Sequence, residues 1–340
     1  MLLIVTISFL WFSSCRCHKA ASSVAIEGKP AMITFLDSTE AALAIISDDV
    51  DGFFSQITAL DMSIQMKKNY TDRPTALKAY QKYLRTEVMD FTTDEKLFMV
   101  RLFEEAKKMC DTLSPRIFPG GMRLVKIRPN HYGRDVYYTR GNDIMIPANI
   151  FETMDADSQL PIMLHEIFHI ISRYQPEVRK EMYSLIGFTK AKTTPIATSP
   201  LAERLLTNPD GVTMDYVQNL GNEVQETVVI PLIKSKFKEF SADKTSFFEY
   251  LDFDLYEVKD NNGKLNILSD GTAATTVELK KTPNFFTQIK DNTQYIIHPD
   301  EIMADNFMLA LLAYKKNEYN KFSKEGRQLI DDVLTILKSR

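Results

Sequence analysis

The sequence has few of the residues that mark several classes of protein. Its 340 residues include three cysteines and no Cys-x-x-Cys pair, so neither a disulfide framework nor a cysteine-ligated zinc site is expected. The 41 basic residues nearly balance the 45 acidic ones, for a net charge of −4, which argues against nucleic acid as a partner. The 44% hydrophobic content is sufficient for a large buried core.

Histidine is also scarce, yet two of the five histidines lie four positions apart in the pentapeptide His165–His169, HEIFH. On a helix, side chains four positions apart lie one turn apart on the same side. Both rings can therefore reach one zinc ion, and Glu166 is placed beside the metal to accept a proton from water that the metal activates. The pentapeptide predicts metal-assisted hydrolysis, most readily of peptide bonds.

The segment around this motif is apolar on almost every side, which predicts a deeply buried helix. Asp157 or Ser158 is expected to cap it, Pro161 suits its first turn, and Pro176 closes it. The apolar residues are Leu160, Ile162, Met163, Leu164, Ile167, Phe168, Ile170 and Ile171. A buried helix tolerates titratable groups only when they are paired or metal-bound.

A catalytic zinc ion needs a third protein ligand. The segment after His169 has neither the glycine nor the histidine of HExxHxxGxxH, so a ligand from a later helix is expected. The best candidate is Glu301 in HPDEIMADNFMLALLAY, where Pro299 suits a first helical turn and an apolar run follows. Asp305 lies four positions later on the same face, where it can accept a hydrogen bond from a ligating histidine.

Three other residues remain alternatives for the third ligand. Glu223 and Glu226 lie in NEVQET before a strand-like segment, where a solvated face is the simpler interpretation. His298 is close to the right place, but it more naturally ends the preceding strand or caps the helix.

HEIFH followed at a distance by EIMAD resembles the pattern of the gluzincin metallopeptidases, HExxH with a downstream ExxxD. The resemblance covers about ten motif positions. It implies that His165, His169 and Glu301 bind zinc, that Glu166 is the general base, and that Asp305 is the outer carboxylate. The separation of the two motifs is longer than in the compact members of that group.

The segment Asp135–Pro147 is predicted to form two short strands around a turn at Gly141 and Asn142. In gluzincins, the strand that precedes the zinc helix commonly forms a sheet edge. An edge strand offers unpaired backbone groups to an extended peptide, so this hairpin is a candidate substrate-binding edge. A hairpin without a partner is the equally weighted alternative.

Peptide hydrolysis also needs a donor for the developing oxyanion. Tyr216 is the first choice, with Tyr295, Tyr174 and His298 as alternatives, although a buried tyrosine is more often a packing residue. Arg173 continues the spacing of the two histidines by one more turn. It could hold a substrate carboxylate, but a surface ion pair is the simpler interpretation.

Residues 1–14 are apolar, uncharged and too short to span a bilayer, which is typical of the core of an export signal. The sequence FSSC that ends at Cys15 resembles a bacterial lipoprotein processing site. These features predict an exported protein, either a periplasmic or cell-surface lipoprotein attached through lipidated Cys15 or a secreted protein. A buried N-terminal helix is the alternative.

The overall pattern predicts an α+β fold with a mostly helical, zincin-like core, an edge hairpin and a β-rich insertion between the zinc motifs. The expected regions are an export segment (1–20), an N-terminal helical region (21–115), the hairpin and HExxH helix (116–190), the insertion (191–297) and the C-terminal helices (298–340). The predicted helices are Ser38–Met66, Pro74–Met89, Thr92–Met109, Glu177–Ile186, Pro299–Tyr314 and Lys324–Leu337.

Together these features predict a zinc metallopeptidase that holds one zinc ion and acts on a peptide or protein substrate. A zinc hydrolase acting on another amide or ester is one alternative. A non-catalytic cell-surface binding protein with a structural zinc is another, but a structural site has no use for Glu166.

Overall fold

The computed structural model describes residues 22–24, 32–221, 227–269 and 273–340. The predicted export segment with Cys15 lies outside these ranges, as do Glu223 and Glu226, two of the alternative third ligands. Within the described ranges, no helix combines the length and the apolar character that a bilayer crossing requires.

The N-terminal region contains five helices among the described residues. They are α1 (Ser38–Ala44), α2 (Phe53–Gln56), α3 (Ala59–Met66), α4 (Arg73–Thr86) and α5 (Thr93–Asp111). The prediction of one helix over Ser38–Met66 was wrong, because Asp48 and Asp51 accept the backbone N–H groups of the first residues of α2 and hold the chain in a turn. Helix α5 begins with a capping box, in which Thr92 and Glu95 bond each other's backbone N–H groups.

The first sheet lies beside these helices. Its strands are β1 (Ser22–Val24), β2 (Ile33–Phe35), β3 (Val88–Met89), β4 (Met122–Ile127), β5 (Tyr138–Arg140) and β6 (Asp143–Pro147). The order is β1-β2-β4-β6-β5, with β3 also on β4, and only the β2–β4 and β4–β6 pairs are parallel. The predicted hairpin is confirmed: β5 and β6 pair antiparallel around Gly141, whose φ is +56°, and β5 is the edge strand.

The second sheet is antiparallel throughout and is built from the chain between the two predicted zinc motifs. Its strands are β7 (Phe188–Lys190), β8 (Tyr216–Asn219), β9 (Val228–Ser235), β10 (Leu251–Asn261), β11 (Lys264–Ile267) and β12 (Thr276–Val277). The order is β11-β10-β9-β8-β7, with β12 on β10. Strand β10 begins only at Leu251, because the preceding Phe247–Glu249 forms a 3₁₀ turn capped by Ser246.

Five further helices complete the fold: α6 (Ala156–Tyr174), α7 (Pro176–Leu185), α8 (Pro283–Ile289), α9 (Pro299–Lys316) and α10 (Lys324–Lys338). Helices α6 and α9 pack closely against each other, with α5 and α10 beside them. Phe168 and Phe307 meet in this interface with ring centroids 5.5 Å apart. One apolar core thus contains both predicted motif helices.

Helix α6 starts earlier than the sequence predicted. Asp155 is its N-cap residue and accepts the N–H of Asp157, so the expected cap at Asp157 or Ser158 was wrong. Pro161 consequently lies in the second turn, where it cannot donate to the carbonyl group of Asp157. The apolar packing of the helix overrides this local penalty.

The buried ion pair of Lys126 on β4 with Glu95 on α5 allows a test of this packing. Lys126 Nζ lies 2.7 and 2.8 Å from the two Glu95 oxygens, and both side chains are less than 10% exposed. Lys126→Met should lower the free energy of unfolding by about 3–5 kcal/mol in urea titrations, because it leaves the buried carboxylate of Glu95 without its ion-pair partner. Lys107→Met, which removes an exposed pair with Asp111, should change it by less than about 1 kcal/mol. Equal effects would contradict this assignment.

Candidate metal centre

The site lies where α6 crosses the first turn of α9. His165 and His169 are one turn apart on α6, with ring centroids separated by 4.8 Å. Glu301 enters from α9, 136 positions after His165. His169 and Glu301 are fully buried, Glu166 is 4% exposed, and the His165 side chain is 12% exposed. The two sequence motifs therefore meet in space, at the boundary between the core and a surface cleft.

The outer nitrogen of each imidazole is bound by a carboxylate from α9. His165 Nδ1 lies 2.9 Å from Asp305 Oδ1, as the sequence predicted, and His169 Nδ1 lies 2.7 Å from Asp300 Oδ2. Asp300 also accepts from Ser172 and from Tyr183. Because both Nδ1 atoms are occupied in this way, both Nε2 atoms are left to face Glu301. This arrangement is typical of metal-ligating histidines.

Glu301 faces both Nε2 atoms with a single oxygen. Its Oε2 lies 3.0 Å from His165 Nε2 and 3.6 Å from His169 Nε2, and its Oε1 accepts from Asn208 at 2.6 Å. Ligand atoms around a tetrahedral zinc ion are separated by about 3.3 Å, given zinc–ligand bonds near 2.0–2.1 Å. His169 Nε2 is fully buried and has no hydrogen-bond partner. A cation beside these atoms would satisfy that nitrogen, so these residues fit a metal ion.

The electrostatics of the site reflect carboxylates that surround the rings. Burial opposes the charge of His169, but Glu301, Asp210 and Asp300 outweigh it and raise the pKa of His169 to about 9. In the same way, burial opposes the charge of His165, but its bonds to Asp305 and Glu301 raise its pKa well above the usual value. The same negative charge that raises the pKa of both imidazoles would also favour a divalent cation at this position.

Glu166, the predicted base, is bound by a residue of the first sheet. Its Oε2 accepts a hydrogen bond of 2.7 Å from Thr139 Oγ1 on β5. Burial raises the pKa of Glu166, although the two neighbouring histidines act in the opposite direction. A carboxylate with a raised pKa in a cleft is suited to accept and then return a proton near neutral pH.

Sequence reasoning missed Asp210, Asn208 and Asp300. One donor atom from each of His169, Asp210 and Glu301 lies within 4.8 Å of the other two, and the set of His165, Glu166 and His169 meets the same condition. Asn208 and Asp210 lie in the sequence NPDG, which is typical of a turn. Asp300 could have been found, since it precedes Glu301 on the same helical turn.

Arg173 serves a purpose that the sequence did not suggest. Its guanidinium donates to the backbone carbonyl groups of Gly141, Thr139 and Asp210. Both the cleft role and the surface ion pair were therefore wrong predictions. Arg173 instead joins α6 to the β5–β6 hairpin and to the loop that carries Asp210.

His298, an alternative third ligand, caps α9. Its Nδ1 accepts the N–H of Asp300 at 3.0 Å, and its Nε2 lies 3.3 Å from the carbonyl oxygen of Thr213. Burial lowers the pKa of His298. With both nitrogens engaged on the backbone, His298 is a neutral capping residue, and Glu301 is the candidate that faces the two imidazoles.

The first choice of oxyanion donor was wrong. Tyr216 lies in the core behind the site, with its ring 4.6 Å from that of Tyr183, and does not line the cleft. Tyr174 is half exposed and is likewise outside the cleft lining. Tyr295 does line the cleft and stacks on His165 with ring centroids 6.0 Å apart, so it is the candidate that the geometry favours.

The cleft over the site has a volume of about 320 Å³. Asp135, Val136 and Tyr137, which lead into β5, form one wall, and Phe248 with Tyr295 lies at its opening. The outer edge of β5 itself is not free at Thr139, because the Asp210 side chain accepts its N–H and Arg173 binds its carbonyl group. The segment before β5 is therefore the part of this edge that faces the cleft.

A substitution at Gly211 tests how closely the loop that carries Asp210 packs on α9, because a Cβ atom at position 211 would overlap the ring of His298. Gly211→Ala should lower the free energy of unfolding by about 1–3 kcal/mol and weaken zinc binding, since His298 starts the helix that carries Glu301. Gly120→Ala is the matched control, because nothing lies within 4 Å of its Cβ position. Indistinguishable melting curves and zinc affinities for the two variants would contradict this packing.

The pair of His169 and Asp300 should make stability depend on pH in the metal-free protein. Because the pKa of His169 rises from 6.5 to about 9 on folding, its stabilisation is complete below about pH 6.5 and declines as pH rises through about 9. Asp300→Asn should therefore destabilise the protein most near pH 6 and least near pH 10, measured by urea unfolding with a chelator. A destabilisation that grows with pH would refute the assignment.

Comparison with known proteins adds no identification. No family model, curated protein or solved structure matches this chain. The resemblance to gluzincins therefore rests on the motif residues themselves, and the contacts of the site carry the functional argument.

Proposed function

We propose that this chain is a zinc-dependent metallopeptidase. One observation carries the proposal: Glu301 Oε2 lies 3.0 and 3.6 Å from the Nε2 atoms of His165 and His169, and the latter nitrogen is buried without a hydrogen-bond partner. Three donors in this arrangement suit a single zinc ion held by His165, His169 and Glu301.

When bound, zinc supplies a Lewis acid that lowers the pKa of water and polarises a carbonyl group. The protein supplies the proton transfer. Glu166 accepts the proton of the attacking water and passes it to the leaving amine, and its bond to Thr139 keeps one oxygen fixed while the other is free to act. The raised pKa of Glu166, caused first by burial, supports this exchange near neutral pH.

Asp305 and Asp300 are positioning residues in this proposal. Each accepts from the Nδ1 atom of one imidazole, which sets the tautomer and directs Nε2 toward Glu301. Both lie in the first two turns of α9, and the dipole of that helix favours the negative charge of Asp300 and Glu301 in particular. The short segment Asp300–Asp305 thus provides the third ligand and both carboxylates that orient the imidazoles.

The shape of the cleft supports a polypeptide substrate. Val136 and Tyr137 lie along one wall directly before the edge strand β5, where backbone groups can pair with an extended chain. Phe248 and Tyr295, which are 54% and 40% exposed, offer apolar surface to side chains at the cleft opening. Tyr295 is also the residue we propose as the oxyanion donor. Export, with lipidation of Cys15, remains part of this proposal.

Glu166→Gln separates catalysis from metal binding. The variant should retain one zinc ion per chain, measured by elemental analysis, and should lose about 10²–10⁴-fold in the rate of cleavage of a peptide library, measured by mass spectrometry. Glu278→Gln, which alters an exposed pair with Lys281, should change neither quantity.

The outcomes distinguish the alternatives. Zinc retained without cleavage of peptides or casein by the wild type would favour a non-catalytic binding protein or a hydrolase of another amide or ester. Absence of zinc from wild-type protein in zinc-containing buffer would refute the proposal altogether.

A further inference from the structure

Asp210 forms a group of candidate donor atoms with two of the proposed ligands, His169 and Glu301, although neither the HExxH nor the ExxxD pattern contains it. One of its carboxylate oxygens lies within 4.8 Å of donor atoms of both His169 and Glu301. It also lines the cleft beside Glu166 and His165. Asp210 is 8% exposed, so it is largely shielded from bulk solvent.

The position of Asp210 is built into the fold by several contacts. Oδ1 accepts the backbone N–H of Thr139, the backbone N–H of Asp210 donates to Asn208 Oδ1 at 3.2 Å, and its carbonyl group accepts from Arg173 at 3.0 Å. Upstream, the loop is joined to α3, where Asp61 accepts the N–H of Thr207 at 2.8 Å. These contacts fix the direction of the side chain.

The negative charge of the site favours a divalent cation near Asp210. The two sets of candidate donors, which share His169, together contain three buried carboxylates, those of Glu166, Asp210 and Glu301. Arg173 does not neutralise them through its described bonds, because its guanidinium donates to backbone carbonyl groups. Buried carboxylates are tolerated when they are protonated, paired with a positive group or bound to a cation. Independently, the Nε2 atom of His169 is buried without a hydrogen-bond partner, which also indicates a bound cation at this site.

We propose that Asp210 is a fourth metal ligand, so that the resting centre contains two imidazoles and two carboxylates. This inference rests on the metal binding proposed above. Three protein ligands leave an open position on a tetrahedral ion, whereas four close it. Substrate would then have to displace Asp210 or raise the coordination number to five. Asp210 thereby controls access to the metal in a way that the two sequence motifs do not encode.

The test compares Asp210→Asn with the matched control Asp305→Asn. The asparagine at position 210 keeps an acceptor for the Thr139 N–H but loses the charged oxygen. Zn²⁺ affinity is measured by competition with a chelating dye, and the coordination of bound Co²⁺ by its visible absorption. Melting of the metal-free proteins shows whether each variant folds.

Asp210→Asn should weaken Zn²⁺ binding by more than about 100-fold and change the Co²⁺ spectrum. Asp305→Asn should weaken binding by about 10–100-fold and keep the shape of the spectrum. Asp210→Glu, which retains the charge, provides a second variant, and it should retain tighter Zn²⁺ binding than Asp210→Asn while altering the Co²⁺ spectrum.

An unchanged Co²⁺ spectrum and a Zn²⁺ affinity within about threefold of wild type in Asp210→Asn would overturn the proposal. Hydrolysis is not a readout here. Wild-type protein that binds metal without cleaving peptides would therefore refute the peptidase and leave Asp210 as a ligand, whereas metal-free wild type would refute both.

Discussion

The contact between α6 and α9 is the interaction on which the rest of the structure depends. Both helices are buried in one apolar core, yet their interface contains two imidazoles and the carboxylates of Asp300, Glu301 and Asp305. Charged groups persist in such a place only when each is bound to another or to a cation. The pairing of rings with carboxylates therefore sets how the two helices cross, and the surrounding apolar residues hold that crossing in place.

The remaining parts of the fold provide side chains that bind and position the residues of the two helices. Thr139 of the first sheet donates a hydrogen bond to Glu166, and Asn208 of the loop before β8 donates one to Glu301. Arg173 binds carbonyl groups of both the hairpin and that loop. Because one guanidinium joins α6, the hairpin and the loop, a displacement of any one of these segments would strain its contacts with the other two. This is why an arginine that continues the histidine spacing serves the architecture of the site.

The long separation of the two motifs does not weaken the site. The chain between α7 and α9 forms its own antiparallel sheet, so β7 to β12 add a folded unit and not an unstructured loop. The entropy of closing a loop grows only slowly with its length, and a folded insertion reduces that cost further. His165 and Glu301 can therefore meet although 136 positions separate them. The insertion also contributes the loop that carries Asp210.

The sequence by itself determined the helix with HEIFH, the helix with Glu301, and the spacing that lets Asp305 reach His165, because helical periodicity and apolar patterning are local properties. It also predicted the β5–β6 hairpin from its turn residues. The tertiary structure alone decided that Asp210 and Asn208 join the site, that Tyr295 and not Tyr216 faces the cleft, and that Arg173 binds backbone carbonyl groups. Those outcomes depend on contacts between distant segments, which no local pattern of residues encodes.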